Sequence, residues 1–208
     1  MYLSRIPLDI TDRNTMRALS SPSIFHGAIS DSFVGGRPDV LWRIDNLNNQ
    51  LFMLILSIDK PDLTDFSRQF SNGDTWETKD YDQLIERIKT GSVLRFRLTS
   101  NPTKSVCGKN GKRGKVTAHI TTEHQKNWLI NKGAQNGFSV NENSFDVVQS
   151  KWHRFYKHGN NYVTILSVTY EGILEITDAE KFKAALAKGI GRGKAYGMGL
   201  MTVMNAVR

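Results

Sequence analysis

Of the five histidines in the chain, His26 stands in the setting best suited to moving a proton. Counting 100° per residue, Ile24, Phe25, Ala28, Ile29 and Phe33 cover about half of a short helix. His26 falls just outside that arc, packed from one side and open on the other. Ser23, three residues back, and Ser30, four on, lie beside it. A lone histidine on such a rim is most often an ordinary surface residue. His119 alternates with Val116 and Ile120 and reads as structural. His124 sits in the first turn of a helix and is expected to face solvent. His153 and His158 lie in a basic stretch, where binding is the expected role. There is no HExxH, no paired Cys/His spacing, no acidic pair and no Ser-His-Asp set, so neither a metal nor a cofactor is expected. The single cysteine, Cys107, excludes an internal disulfide and a multi-cysteine zinc site, and it reads as passive in a polar loop.

A chain with one good proton carrier suits a reaction that asks for only one. RNA strand scission is such a reaction. Its nucleophile, a 2′-hydroxyl, belongs to the substrate. The protein must align it with the phosphorus and the leaving oxygen. A histidine moves the proton, worth about 10²–10⁴-fold, and Lys or Arg offsets charge on the phosphoryl oxygens. The formal charge of +8 suits an anionic partner. The basic residues concentrate in three stretches. The first runs from Lys104 through Lys112 and Arg113 to Lys115, the second from Lys151 through Arg154 and Lys157 to His158, and the third holds Arg192 and Lys194. One such run alone would be a solvated face. Three in one half of the chain, with Trp152, Phe155 and Tyr156 interleaved in the second, point to nucleic acid, with aromatics available to stack on unpaired bases.

The elements that must position these residues follow from periodicity. Tyr2, Ser4, Ile6, Leu8 and Ile10 share one face of a first strand. Ser21-Pro22 reads as an N-cap with proline in the first turn of the His26 helix. Val40 to Ile44 and Leu51 to Ile58 form a hairpin. Asp62 to Phe70 is a second helix, and Trp76 to Asp82 a weak strand. The order is β-α-β-β-α-β, the ferredoxin-like order. It recurs with a strand at Val93 to Leu98, a polar loop over Lys104 to Lys115, and a helix opened by a capping box at Thr122-Glu123-His124-Gln125. Strands at Phe145 to Val148 and Tyr162 to Val168 flank a basic tip, and Gly172 to Ile176 extends the sheet. A helix opened by Thr177-Asp178-Ala179-Glu180, a glycine-rich stretch and an apolar strand from Leu200 to Val203 complete the second unit. The expected class is α+β, two tandem ferredoxin-like domains with antiparallel sheets, residues 1–90 and 91–208. No apolar run is long enough to span a bilayer. The first ten residues alternate rather than forming a signal-peptide core, so a reducing cytoplasm is expected.

The glycine-rich stretch, Gly189-Ile190-Gly191-Arg192-Gly193-Lys194-Ala195-Tyr196-Gly197-Met198-Gly199-Leu200, admits two readings. It is either a helix C-cap and packing turn or a backbone surface that cradles phosphates. A dinucleotide fingerprint fits less well, because that motif follows a strand and opens a helix, and here the order is reversed.

That stretch is similar to the glycine-rich signature of the RAMP superfamily. With Met1-Tyr2-Leu3-Ser4-Arg5, Leu41-Trp42-Arg43, Leu94-Arg95-Phe96-Arg97-Leu98, Asn101-Pro102-Thr103-Lys104 and Tyr170-Glu171-Gly172-Ile173-Leu174, the chain resembles the CRISPR repeat-processing endoribonucleases, in the CasE branch that serves the Cascade complex. The match runs through nearly the whole chain. The resemblance implies two ferredoxin-like domains and metal-independent cleavage of CRISPR precursor RNA beside a repeat hairpin. The products would be a 2′,3′-cyclic phosphate and a 5′-hydroxyl, with the product kept for the surveillance complex and its other subunits. It puts the catalytic histidine at His26, with Ser23 where some members have a tyrosine and Gly27 where some carry a basic residue. It makes Lys151, Arg154 and Lys157 the stem-binding candidates on a groove-entering hairpin. Those two departures keep a second reading open, a non-catalytic RNA-binding subunit of the same complex. A third is a small-molecule regulatory protein whose glycine stretch holds a nucleotide.

Overall fold

A computed structural model describes residues 1–33, 39–73, 75–106, 115–157 and 161–206, except for the side chain of Lys157. Cys107, Lys112, Arg113 and His158 therefore lie outside the described residues. The first half runs β1 (Tyr2–Pro7), α1 (Arg13–Ser20), α2 (Ser23–Asp31), β2 (Leu41–Leu47), β3 (Gln50–Ser57), α3 (Thr64–Phe70), β4 (Glu77–Asp80) and α4 (Asp82–Glu86). The strands form one antiparallel sheet in the order β2-β3-β1-β4, which is the ferredoxin-like arrangement. The β2–β3 hairpin turns through Asn48 and Asn49, both with positive φ (52° and 63°), a conformation asparagine tolerates better than most residues. One face of the sheet meets α2 and α3 through Ile6, Phe25, Ile29, Trp42, Met53, Ile55, Phe66 and Phe70.

The second half runs β5 (Val93–Ser100), β6 (Thr103–Val106), β7 (Lys115–Ala118), α5 (Thr122–Gln135), β8 (Phe138–Ser139), β9 (Phe145–Lys157), β10 (Asn161–Ile176), α6 (Ala179–Lys188), a 3-10 turn (Lys194–Tyr196) and β11 (Met201–Asn205). The main sheet has the order β11-β5-β10, with β9 on β10 and the short β8 pairing the far end of β10. It repeats the arrangement of the first sheet, so the fold is two ferredoxin-like units with antiparallel sheets, as expected. Leu94, Phe96 and Leu98 of β5 pack with Trp128, Leu129, Phe182 and Leu186 of the covering helices.

Several local expectations are corrected. Ser21 is not the side-chain cap of α2. Its hydroxyl meets that of Ser23 at 3.2 Å, and the helix starts with Pro22 in helical geometry. The caps of α5 and α6 sit at Thr121, which accepts from the His124 amide, and at Asp178, which accepts from the Lys181 amide. Each is one residue away from the expected position, because the residue whose backbone is still extended is the one that caps. The basic run from Lys104 to Lys115 is not all loop. Thr103–Val106 pairs antiparallel with Lys115–Ala118, an exposed ribbon that needs no apolar face to form its ladder. The basic tip is not a tip either. β9 and β10 stay paired from Phe145↔Gly172 to Lys157↔Asn161, so Lys151 to Tyr156 belong to a two-stranded arm.

A buried ionic network fastens the two sheets. Arg43 on β2 is 1% exposed and Asp45 is 5% exposed. The guanidinium donates from Nε and Nη2 to the two Asp45 oxygens at 2.8 and 2.7 Å. It also donates from Nη1 to the carbonyls of Arg97 (2.8 Å) and Leu200 (2.9 Å), and from Nη2 to Thr202 Oγ1 (2.8 Å). Arg97 Nε lies 3.1 Å from Asp45 Oδ1, a charge contact without hydrogen-bond alignment, and its Nη1 pairs with Glu171. One side chain of the first sheet thus satisfies a carbonyl on β5 and another just before β11.

Candidate functional site

Helix α2 carries His26 and is held from beneath by Phe25. The Phe25 ring is fully buried and meets Trp42 at 6.0 Å, Phe66 at 6.1 Å and Phe70 at 5.0 Å between centroids. One residue on, the helix turns outward, and His26 and Gly27 are exposed. The His26 amide donates to the Pro22 carbonyl at 3.2 Å, and its own carbonyl accepts from Ser30 Oγ at 2.8 Å. Both bonds fix the backbone from which the imidazole projects. Ser23 is half-buried, with its hydroxyl engaged by Ser21.

The 3-10 turn carrying Lys194 lies directly against α2 and β2. Trp42 is the shared floor. Its indole meets the Phe25 ring edge-on and also closes on Gly197. Gly197 has φ +77°, and a Cβ there would sit 2.6 Å from the ring. The turn also closes on the second sheet. A Cβ on Gly191 would lie 2.5 Å from Ser100 Oγ, and that hydroxyl donates to the Ile190 carbonyl at 2.8 Å. The packing-turn reading of the glycine stretch therefore describes its interior. Arg192 and Lys194 remain exposed on its outer edge.

From the turn the surface continues onto the arm. Tyr196 meets Phe155 edge-on at 5.1 Å, and Phe155 is buried with Ile165 and Met198. Strand alternation divides the arm into two faces. Lys151, His153 and Phe155 share one, while Trp152, Arg154 and Tyr156 share the other. Lys151 and Arg154 are both exposed but point to opposite sides. Lys157 closes the ladder opposite Asn161. His153 is half-buried, with Nε2 2.8 Å from Ser167 Oγ. Burial, and then the charge of Lys151, hold its pKa below 6.5.

The β6–β7 ribbon starts beside the turn, through a bridge between Asn101 and Arg192. It sets Lys104 opposite Thr117 and Lys115 opposite Val106, with both lysines exposed. His124 does not simply face solvent. Its Nδ1 is 2.5 Å from Thr121 Oγ1, and its ring stacks on His119 at 5.7 Å. Desolvation, then the charges of His124 and Lys104, lower the His119 pKa. Gln125, 1% exposed, donates to the carbonyls of His119 and Ile120 and to Ser150 Oγ, tying this corner to β9.

The structure thus packs the turn bearing Lys194 against the His26 helix and, through Tyr196, against Phe155 near the outer end of the arm, with Arg192 bridged to Asn101 where the ribbon begins. Sequence reasoning quotes Arg43, Arg97 and Glu171 only within motifs and misses the network in which Arg43 and Asp45 join the first sheet to Arg97 and Thr202 of the second. The available signal is Arg43 and Asp45, two residues apart and so on one face of a strand that is otherwise apolar from Leu41 to Ile44. Among the described residues no group of three or more His, Cys, Asp or Glu comes together, and no helix is long and apolar enough to cross a membrane.

The sequence model of the family described as CRISPR associated protein matches residues 1–205. A curated relative, the CRISPR-associated endoribonuclease Cse3 of Thermus thermophilus, is 28% identical over 218 aligned positions, covering 98% of this chain and 99% of that protein. A solved structure of the CRISPR endoribonuclease Cse3 bound to 19 nt RNA superposes with a TM-score of 0.82 at 25% identity, covering 98% of this chain and 100% of that one. A chain of a CRISPR RNA-guided surveillance complex, in a pre-nicking state, shares the fold with a TM-score of 0.68 at 20% identity, covering 99% of this chain and 100% of that one.

Proposed function

The chain belongs to the CRISPR-associated protein family, and from that membership we propose that it is a metal-independent endoribonuclease that cuts CRISPR precursor RNA beside the repeat hairpin. It then retains the mature RNA in the cytoplasm for a Cascade-type surveillance complex. The observation that carries the reading is the packing of the His26 helix against the turn bearing Lys194, continuous with a basic arm. The Cse3 relative is named an endoribonuclease, and a Cse3 structure of the same fold holds RNA.

In the reaction, the ribose 2′-oxygen forms a bond to phosphorus as the bond from phosphorus to the 5′-oxygen breaks. The 2′-hydroxyl gives up its proton and the departing 5′-oxygen gains one. His26 is the group that carries a proton in this exchange. Lys194, exposed on the neighbouring turn, offsets charge on the phosphoryl oxygens, and Arg192 with the ribbon lysines Lys104 and Lys115 holds the flanking backbone. Lys151 serves the stem from one face of the arm. Ser23 takes a supporting role through its hydroxyl. The products are a 2′,3′-cyclic phosphate and a 5′-hydroxyl. The proposed units are residues 1–90, which supply the histidine, and 91–208, which hold the RNA.

A hairpin repeat RNA incubated in EDTA tests this, with analysis of the product ends. Cutting is expected without added metal. His26→Ala should slow it by about 10²–10⁴-fold while affinity is kept, and a 2′-deoxy at the cut site should abolish it. Cutting by His26→Ala at the wild-type rate overturns the assignment. A wild-type protein that binds the hairpin and never cuts it favours the non-catalytic reading, which rests on Ser23 and on Gly27. Around Gly27 a side chain would meet open space, yet none is present.

A further inference from the structure

On the arm, alternation and register gather Trp152, Arg154 and Tyr156 on one strand face, with Tyr162 directly opposite Tyr156 on β10. The aromatic members are solvent-facing to a degree unusual for rings. Trp152 is 42% exposed, Tyr156 69% and Tyr162 54%. Arg154, between them, is exposed and has no acidic partner among the described residues. The other face of the same segment is spent differently. Phe155 is buried against Ile165 and Met198, and His153 is tied to Ser167.

Side chains two residues apart on a strand stand about 6.6 Å apart. That is about twice the 3.5 Å contact distance between carbon layers, so each gap admits one flat ring with contact on both sides. Trp152, Arg154 and Tyr156 form three teeth, with one gap on each side of the arginine. The middle tooth is itself planar and cationic, and a guanidinium stacks on aromatic faces. Tyr156 is steadied by Tyr162, whose ring lies 5.0 Å away at 59°. Paired bases in a stem bury their faces on one another, so only unpaired bases can offer a face to such teeth.

We propose that this face is a stacking site for unpaired bases of the bound RNA, two nucleotides deep, separate from the lysine-bearing face that meets the stem. The proposal rests on the RNA-binding reading given above. A protein partner would find on this face an unneutralised cation between its rings, whereas a polyanion with exposed π-faces satisfies both features.

Two RNAs test it. One is the repeat hairpin with its loop and single-stranded flanks. The other is a blunt two-strand duplex of the stem alone. Trp152→Ala and Tyr156→Ala should each weaken binding of the hairpin by about 5- to 150-fold, the range for losing one base–aromatic stack. Neither should change binding of the duplex, and Tyr156→Phe should keep wild-type affinity for both. Equal losses on both RNAs overturn the proposal in favour of a stem-contacting face. Wild-type affinity of both variants for both RNAs overturns it in favour of a protein-facing surface. Failure of the wild-type protein to bind either RNA instead sinks the RNA reading on which it rests.

Discussion

The turn between α6 and β11 and the outer part of the β9–β10 arm both carry exposed basic residues beside aromatic rings, yet they meet the rest of the molecule in opposite ways. In the turn the backbone is the buried part. Its glycines let Leu41, Trp42, Ser100 and Trp128 come within contact of main-chain atoms, and Arg192 and Lys194 are its fully exposed members. In the arm the backbone ladder is self-sufficient and the side chains of one face stand free. Changes at the turn's glycines should therefore act through fold and geometry, whereas changes on the free face of the arm should act through binding alone.

The largest expected separation comes from Arg43, which grips the exit of the turn at the Leu200 carbonyl. Removing one partner of a buried ion pair costs about 3–5 kcal/mol, because the other charge is left buried. Arg43→Met should fall near the lower end, about 3 kcal/mol, since Arg97 Nε is already 3.1 Å from Asp45 and keeps some compensation. Urea unfolding reads this as a lower midpoint at unchanged slope. Tyr156→Ala on the arm should stay within about 0.5 kcal/mol of wild type. A Tyr156 variant as unstable as the Arg43 variant would erase the contrast.

Glycine-to-alanine substitution sharpens the comparison, because its sign depends on place. Gly197 combines φ +77° with a Trp42 ring 2.6 Å from where a Cβ would stand. Gly197→Ala should lose about 2 kcal/mol or more, from left-handed strain and overpacking together. It should also slow cleavage more than it weakens RNA binding, since Trp42 lies beneath both the turn and the His26 helix. Gly27, in that helix, has nothing within 4 Å of a built Cβ. Gly27→Ala should gain about 0.5–1 kcal/mol by helix propensity. Equal thermal shifts for the two variants would show that the turn is not packed as described.

How much of this the sequence discloses follows from which forces are local. Strands such as β1 and β5 show as alternation and β3 as an apolar run, and the βαββαβ order follows, whereas the two-residue β8 is too short to write any period. The rim position of His26 is equally local, since it needs only the helix around it. Helix α1 hides, because only Thr15 and Ala18 of its eight residues are buried and its signal is the Asp12 cap instead. The β6–β7 ribbon hides because its strands are four residues each and mostly exposed, with no apolar face long enough to show as alternation. Arg43 and Asp45 hide because a charge in a strand reads as solvent-facing unless its partner is known, and the partners lie on β5 and β11. The proximity of Lys194 to the His26 helix is likewise tertiary. It depends on Trp42, about 150 residues before the turn, filling the space beside Gly197.

The smallest expected effect probes the arm's inner face. His153 has its pKa lowered by burial and then by Lys151, with Ser167 as its hydrogen-bond partner. The unfolded chain, near the ordinary value of 6.5, therefore takes up the proton first as pH falls. The stability that neutral His153 contributes is fully present above 6.5, and it is lost as pH drops from there through the lower folded value. His153→Asn removes the titration, so wild type should lose more of its thermal stability than the variant between about pH 7.5 and about pH 5. Hairpin RNA should shrink that difference, because a phosphate near this face favours the protonated imidazole and draws the folded pKa back up. A pH-dependent difference that persists unchanged with RNA bound would mean that the face shared by Lys151 and His153 does not meet the backbone. The division of the arm into a phosphate side and a stacking side would then be wrong.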